Sequence, residues 1–357
     1  MQRTRVVRLG TGRLRQQAAN VRTLMLDMSP ARAPLPSFHD LFLSHYRRVR
    51  EVVDGYQRRG LAVIALDSGE VAATACLAAK PGTINTAIVG RHGICDLFLD
   101  TDPYLSLRHL ALVLYPWEGG ADLRYRLLDL RTPTAFSDER DRRLEAVEAE
   151  GPLFVRCGEH ALFFLPTGEG DGAWPDDAEQ AWACIPERVY LEDASAEPDR
   201  WLRRRLRARL PAGAEEPAAE TSGRRQTIVQ PVRGPSRAQR KLLADGEQPL
   251  GELEVTSESG QTLLTVGPSA AREGILFGRY ERCDTEGLAV LTDPRISRVH
   301  VLLLLVGGRR FAGDAASSNG VWLGEEEVRA AELRDGQTLT LGEGLARIAW
   351  RLKLPAS

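Results

Sequence analysis

The sequence predicts a mainly β protein: two β-sandwiches joined by a charged linker, with an amphipathic helix ahead of the first. Three observations lead there. Short apolar runs broken by Gly, Asp, Pro and Ser fill two stretches, Leu61 to Pro166 and Leu250 to Leu354. The stretch between them is dominated by Pro, Gly, Ala and charge. And the two β stretches resemble each other: "IVGRHGICDLFLDTDPYLSLRHLALVL" in the first answers "LFGRYERCDTEGLAVLTDPRISRVHVLLLL" in the second.

Taken in order, residues 1–34 carry Arg3, Arg5, Arg8, Arg13, Arg15 and Arg22 before the first acid, Asp27, and read as a basic flexible tail. Contact with an acidic partner is the alternative. Residues 35–60 place Phe38, Leu41, Phe42, His45, Tyr46, Val49, Val52, Val53 and Tyr56 at helical spacing, with Ser37 as N-cap and Gly60 as stop. The apolar stripe of this helix is expected to pack on the next domain; a homodimer or another partner through it is the alternative. Residues 61–170 follow as the first sandwich, with "LAVIAL", "LALVLY", "LFVRC" and "ALFFL" among its strands. Residues 171–249 read as linker, in which Trp201, Leu202, Leu206 and Leu210 suit a short basic helix. Residues 250–354 form the second sandwich.

Composition bounds the function. A chain of 357 residues is expected to hold two domains, and 43% apolar with 27% charged residues suits ordinary globular cores. A formal net charge of -2 supplies no bulk field for nucleic acid or an anionic membrane. Arg, Ala, Gly and Leu are heavily used and lysine appears only at Lys80, Lys241 and Lys353, a usage of high-GC, bacterial genomes. Cys76, Cys95, Cys157, Cys184 and Cys283 are scattered and odd in number, which reads as reduced thiols and neither a zinc site nor a disulfide frame. The longest apolar run, Val299 to Val306, is too short to span a bilayer. No apolar core with a small-residue cleavage site follows the basic N-terminus. The expectation is a cytoplasmic protein with no cofactor, no metal, no nucleic-acid partner and no membrane partner. Nucleotide-binding, metalloprotease, nucleophile-elbow and kinase motifs are all missing, which argues against an enzyme.

The repeat is specific in detail. Gly90-Arg91 matches Gly278-Arg279, Cys95-Asp96 matches Cys283-Asp284, Asp102-Pro103 matches Asp293-Pro294, and Ser106 and His109 match Ser297 and His300. Gly151 and Gly158 align with Gly336 and Gly342. Only the second copy continues with an Asn-Gly turn shortly after an aspartate, Asp314 to Ser318-Asn319-Gly320. These polar groups fall in the breaks between apolar runs, a pattern of loops gathered at one end of a sandwich.

With Gly-Arg, Ser-x-x-His and Asn-Gly present in order, the second repeat resembles a forkhead-associated (FHA) domain, the phosphothreonine-binding β-sandwich. The first looks like a degenerate FHA-like copy: it keeps Arg91, Ser106 and His109 but reads Pro133-Thr134-Ala135 at the place of the Asn-Gly turn, followed by an apparent insert, "SDERDRRLEAVEAE". The resemblance implies that Arg279 and Ser297 reach the phosphate and that Asn319 bonds the peptide backbone, with Arg298 a second phosphate donor and Ser318 an added hydroxyl. It gives Gly278, His300 and Gly320 structural support of the site. The chemistry fits: a phosphothreonine carries about −1.5 to −2 charges and three strong acceptors, and arginine offers a permanently charged planar fork. Singly, each of these residues could be an ordinary surface or turn residue; the ordered set is the signal.

The implied function is a phosphothreonine-dependent adaptor or scaffold whose partners are a threonine-phosphorylated protein and an upstream Ser/Thr kinase. The alternative is a phosphate-independent structural or assembly subunit. Thr227, in "GRRQTIVQPV", lies in the expected linker behind Arg224 and Arg225. It is either an unremarkable linker threonine or a phosphosite able to occupy the chain's own pocket.

Overall fold

The computed structural model describes residues 35–67, 70–117, 123–168, 174–191, 226–235, 241–285 and 291–352. Residues from Pro36 onward form one compact unit. The expected basic tail and the short helix around Trp201 to Leu210 lie outside the described residues.

Helix α1 (Phe38–Gly55) starts where expected, with Ser37 Oγ accepting the Asp40 N–H. It ends at Gly55, not Gly60; Gly60 instead opens the first strand, at a spot where a Cβ would lie 2.0 Å from the Leu77 carbonyl oxygen. Leu41, Phe42, Tyr46, Val49 and Val53 are buried against Phe154 and Phe163 of the sheet below and against α2 (Ala178–Cys184). Phe42 stacks near Trp174 and Trp182. The stripe is therefore covered inside the chain, so a dimer through this face is not what the helix builds.

The first sandwich has two sheets. The outer one runs β2 (Val71–Ala78), β1 (Gly60–Leu66), β11 (His160–Thr167), β10 (Leu153–Cys157), β7 (Phe136–Asp138), β8 (Arg143–Leu144). The inner one runs β12 (Glu187–Tyr190), β13 (Gln226–Val232), β9 (Ala146–Glu150), β6 (Arg124–Asp129), β5 (Leu110–Leu114), β3 (Asn85–Gly90), β4 (Leu97–Phe98). Alternation along β1 sorts its side chains: Leu61, Val63 and Ala65 face the sandwich core, while Ala62, Ile64 and Leu66 face the helices.

The second sandwich has an inner sheet β16 (Ile275–Phe277), β17 (Val301–Val306), β18 (Arg309–Asp314), β21 (Ala330–Glu332). Its outer sheet runs β15 (Gly260–Val266), β14 (Gly251–Ser257), β23 (Ala346–Arg351), β22 (Thr338–Leu341), β19 (Val321–Leu323), β20 (Glu326–Glu327). A short helix, α3 (Pro268–Glu273), leads into β16. The outer sheets of the two sandwiches have the same strand order, and β3-β5-β6-β9 corresponds to β16-β17-β18-β21. The register agrees too: Ile88 pairs with Ala111 as Leu276 pairs with Leu302.

The inner sheets pack on one another. Ile88, Ala111, Val113 and Leu128 meet Leu276, Leu302, Leu304 and Phe311 in a single apolar cluster. Inner strands are thus covered on both faces, which is why β5 (LALVL) is buried throughout and β17 (VLLLLV) nearly so. The order of layers is helices, outer sheet, two inner sheets, outer sheet.

Three sequence expectations change here. "SDERDRRLEAVEAE" is not an insert: it supplies the end of β7, β8 and β9, the counterparts of the end of β19, β20 and β21. The linker is interrupted by α2, β12 and β13; the last two extend the inner sheet, β13 pairing antiparallel with β9 and parallel with β12. And Thr227 is in β13, 1% exposed, its Oγ1 without a hydrogen-bond partner beside Gly151. Alternating burial of "QTIVQPV" draws it into the sheet, which closes the hydroxyl to a kinase or to the chain's own pocket in this fold.

Candidate functional site

Register brings the predicted residues to one end of the second inner sheet. Phe277, the last residue of β16, pairs with Val301, the first of β17, and Val301 pairs with Asp314, the last of β18. The loops that follow Phe277, precede Val301 and follow Asp314 therefore leave the same edge. They carry Gly278-Arg279, Ser297-Arg298-His300 and Ser318-Asn319-Gly320, so all eight predicted site residues converge.

The loops are tied by backbone and side-chain hydrogen bonds. Arg279 N–H donates to the Ser297 carbonyl at 3.3 Å and Tyr280 N–H to the Arg298 carbonyl at 3.1 Å. This zipper needs the glycine: a Cβ on Gly278 would lie 2.2 Å from the Arg298 oxygen. Arg279 Nε donates to the Ile296 carbonyl at 2.8 Å. Its side chain is exposed, and its terminal nitrogens have no ion pair or hydrogen bond among the described residues. Arg298 is exposed, with its guanidinium 5.8 Å from the centroid of the Tyr280 ring.

Ser297 is buried, and its Oγ accepts the Ser318 N–H at 3.0 Å, joining the second loop to the third. That leaves the hydroxyl proton free to donate to an anion. Asn319 Nδ2 donates to the Arg295 carbonyl at 2.7 Å, and Gly320 turns at φ +71. Ser318 is exposed at the rim.

His300 is 0% exposed. Its Nδ1 lies 3.1 Å from the Ser297 N–H, which only an unprotonated nitrogen can accept. The proton is then on Nε2, which donates to the Gly320 carbonyl at 2.9 Å. One neutral ring thus spans the second and third loops. Burial holds its pKa down at about 4, against the backbone hydrogen bond to Gly320, which raises it.

Residues outside the predicted site complete the frame. Thr285 Oγ1 donates to the Gly278 carbonyl at 3.0 Å and accepts its N–H at 3.2 Å. Cys283 Sγ donates to the Arg298 carbonyl at 3.1 Å. Asp314 accepts the Ser317 N–H at 3.1 Å, and burial raises its pKa. Cys283 and Asp314 are already marked in the sequence, one by the repeated Cys-Asp pair and the other by the turn that follows it, but without a role at the site; Thr285 follows the Cys-Asp pair in one copy only. Among the described residues no group of three or more His, Cys, Asp or Glu side chains could hold a metal ion.

A search with family profiles matches residues 275–342 to the FHA domain. This segment is an FHA domain. FHA domains are phosphothreonine-binding modules of signalling, a family of binders and not of enzymes. Among solved structures, the chain is similar to Mycobacterium tuberculosis Rv1747 FHA-1, at 28% identity over 30% of this chain and 100% of that one, TM-score 0.24. It is also similar to the FhaA FHA domain complexed with the intracellular domain of Rv3910, at 23% identity over 28% of this chain and 98% of that one, TM-score 0.24. A third is the FHA domain of CT664 from Chlamydia trachomatis, at 20% identity over 29% of this chain and 97% of that one, TM-score 0.25. No curated protein matches the chain.

The FHA-like first sandwich repeats three side-chain bonds of the frame. Arg91 Nε donates to the Leu105 carbonyl at 3.2 Å, Ser106 N–H to His109 Nδ1 at 3.1 Å, and Cys95 Sγ to the Leu107 carbonyl at 3.2 Å. It departs from the FHA domain in the third loop, where His109 Nε2 lies 3.2 Å from Thr132 Oγ1. Thr134 stands where the FHA domain has Asn319. Among the described residues, no helix is long and apolar enough to cross a membrane.

Proposed function

We propose that this chain is a phosphothreonine-dependent protein-binding adaptor that docks a threonine-phosphorylated partner through residues 250–354, downstream of a Ser/Thr kinase and in the cytoplasm. The observation that supports it best is the pairing of Arg279 and Ser297: each has one atom bonded into the loop frame and a further donor not used by it, beside an exposed Arg298 with no ion pair among the described residues. Two guanidinium groups with no carboxylate partner among the described residues suit a doubly charged phosphate. Asn319, held by Arg295, is placed to fix the peptide backbone next to it, and Ser318 adds a rim hydroxyl. Gly278, His300 and Gly320 set the loops.

In the first sandwich the missing Asn-Gly turn leaves a scaffold without a peptide clamp, and we read it as a diverged copy of the second. Phosphothreonine peptides are expected to bind the second sandwich alone. A phosphate-independent assembly subunit is a second reading, favoured by exposed Ile94 and Tyr104, which stand where the FHA domain has Arg282 and Arg295.

Calorimetry of the full chain against a degenerate phosphothreonine peptide pool and its unphosphorylated twin separates the two. The adaptor binds only the phosphorylated pool. Arg279→Ala should then weaken binding by roughly tenfold to a hundredfold, since a charge-assisted hydrogen bond contributes about 1.5–3 kcal/mol. Equal binding by Arg279→Ala and the parent would refute the site.

A further inference from the structure

Loops of the FHA site rest on side chains sent from the other sandwich. Arg108, 9% exposed, crosses the seam between the inner sheets and donates from Nε to the Ala316 carbonyl at 2.8 Å, with Nη2 as a second donor to the same oxygen. Ala316 is at φ +52, the left-handed conformation that Arg131 also has at the same place in the first sandwich, and its carbonyl is turned to the seam, where Arg108 meets it. Ser318 and Asn319 follow in the same loop. A second contact lies beside it: Arg329 of the second sandwich pairs with Asp96 of the first at 2.6 Å and stands 3.9 Å from Asp314, whose carboxylate holds the Ser317 N–H. A third reaches the loop that begins at Gly278: Arg131 donates to the Arg282 carbonyl at 2.5 Å and pairs with Asp284 at 2.6 Å.

Donors cross the seam both ways, since Arg282 Nη1 returns to the Arg131 carbonyl at 3.0 Å and Arg329 to Asp96, but the contact at the Ser318–Asn319 loop comes from the first sandwich alone. Arg108 occupies the position between Ser106 and His109 that Val299 occupies between Ser297 and His300, so no equivalent arginine reaches back to the first sandwich from there. At that loop, a sandwich without an Asn-Gly turn of its own supplies donors to the one that has it.

We propose that the first sandwich is a built-in positioning element for the phosphothreonine site, and that Arg108 is its principal positioning residue, holding Ser318 and Asn319 in place by capturing the Ala316 carbonyl. This rests on the phosphothreonine reading of that site. A loop held before the ligand arrives need not be ordered at binding, and the ordering cost is subtracted from affinity when it must be. Removing Arg108 also leaves the buried Ala316 carbonyl without its cross-seam donors, which loosens the anchor of the loop.

The test uses the full chain, the same phosphothreonine peptide pool, and amide hydrogen exchange read residue by residue in the free protein. Arg108→Met should weaken binding by about tenfold. It should speed exchange across Ser317 to Gly320 while Leu302 to Leu304 exchange at the parental rate, a split that general destabilisation would not produce. Arg108→Lys, which keeps one donor, should recover part of both effects. If Arg108→Met does not fold, Arg329→Gln, at a side chain 48% exposed, is judged on the same two readouts. Parental affinity in a protein that binds, or parental exchange in the loop, would overturn the proposal. Should the parent chain fail to bind the pool, the phosphothreonine reading falls, and loop exchange alone decides the positioning role.

Discussion

At the site, each key side chain is half scaffold and half free. Arg279 gives Nε to Ile296, and Ser297 gives its lone pair to Ser318. His300 is wholly scaffold, and its protonation state is a matter of stability. With a folded pKa near 4 and an unfolded value near 6.5, the folded chain prefers the neutral ring. The stability this contributes is complete above pH 6.5 and is lost as the pH falls toward 4, up to about 3 kcal/mol. Protonation would also turn Nδ1 from acceptor to donor and break the Ser297 bond. Thermal melts without ligand between pH 7.5 and 4.5 should show the chain losing Tm relative to its His300→Gln variant; a constant difference would refute the coupling. The comparison is needed because buried Asp314 is shifted upward and works in the opposite sense. Gly278 gives a sharper prediction. Any Cβ there meets backbone oxygen at 2.2 Å, so Gly278→Ala should cost about 2–4 kcal/mol and disturb Arg279 as well. A melting curve unchanged from the parent would show that the zipper can widen. Arg279, Ser297, His300 and Asn319 were legible in the sequence because the motif is local in each loop. Thr285 and Arg108 were not, since what marks them is a partner reached only after folding.

Among the elements, burial on two faces decides most differences between expectation and structure. β14 (GELEVTS) and β23 (ARIAWR) alternate buried with less buried positions, as strands with one wet face do. β17 and β5 do not alternate, and their unbroken apolar runs already contained the seam: such a strand needs cover on its second face. That cue was open in the sequence, but periodicity cannot say what the cover is. The same limit hid β13. "QTIVQPV" lies in a region rich in Pro, Arg and Gly, and it becomes a strand by pairing with β9, far away in the chain. Thr227 was therefore misplaced by composition and relocated by pairing. Helix α1 is the opposite case, since spacing alone named all five of its buried residues, together with His45, Val52 and Tyr56, which are half-buried. Phe42 lies at 0% exposure among Tyr46, Phe163, Trp174 and Trp182. Phe42→Ala should destabilise the chain by about 3–5 kcal/mol and leave affinity for the phosphothreonine pool unchanged in the folded fraction. Urea unfolding together with calorimetry checks both halves, and loss of affinity in fully folded protein would mean that the helix layer couples to the site.

For the molecule as a whole, the stacking of two inner sheets makes one folding unit from what the sequence presents as two domains. Reading two β stretches with a linker between them suggests sandwiches that could be separated and studied singly. The seam argues otherwise. Leu276, Leu302, Leu304 and Phe311 are buried only because Ile88, Ala111, Val113 and Leu128 cover them. The Arg131–Asp284 pair spans the same seam with both side chains almost fully buried, and breaking such a pair typically costs about 3–5 kcal/mol. Cutting the chain after Pro235 would expose that apolar face and strand Asp284 without its arginine. The full chain should accordingly unfold in one transition, with fluorescence and circular dichroism superimposing. A fragment of residues 241–352 should melt well below it and self-associate with rising concentration, because an uncovered apolar sheet face seeks another. Sedimentation velocity across a concentration series decides the matter. A fragment that stays monomeric and melts with the parent would show that the seam is mere contact, and that each sandwich holds its own fold.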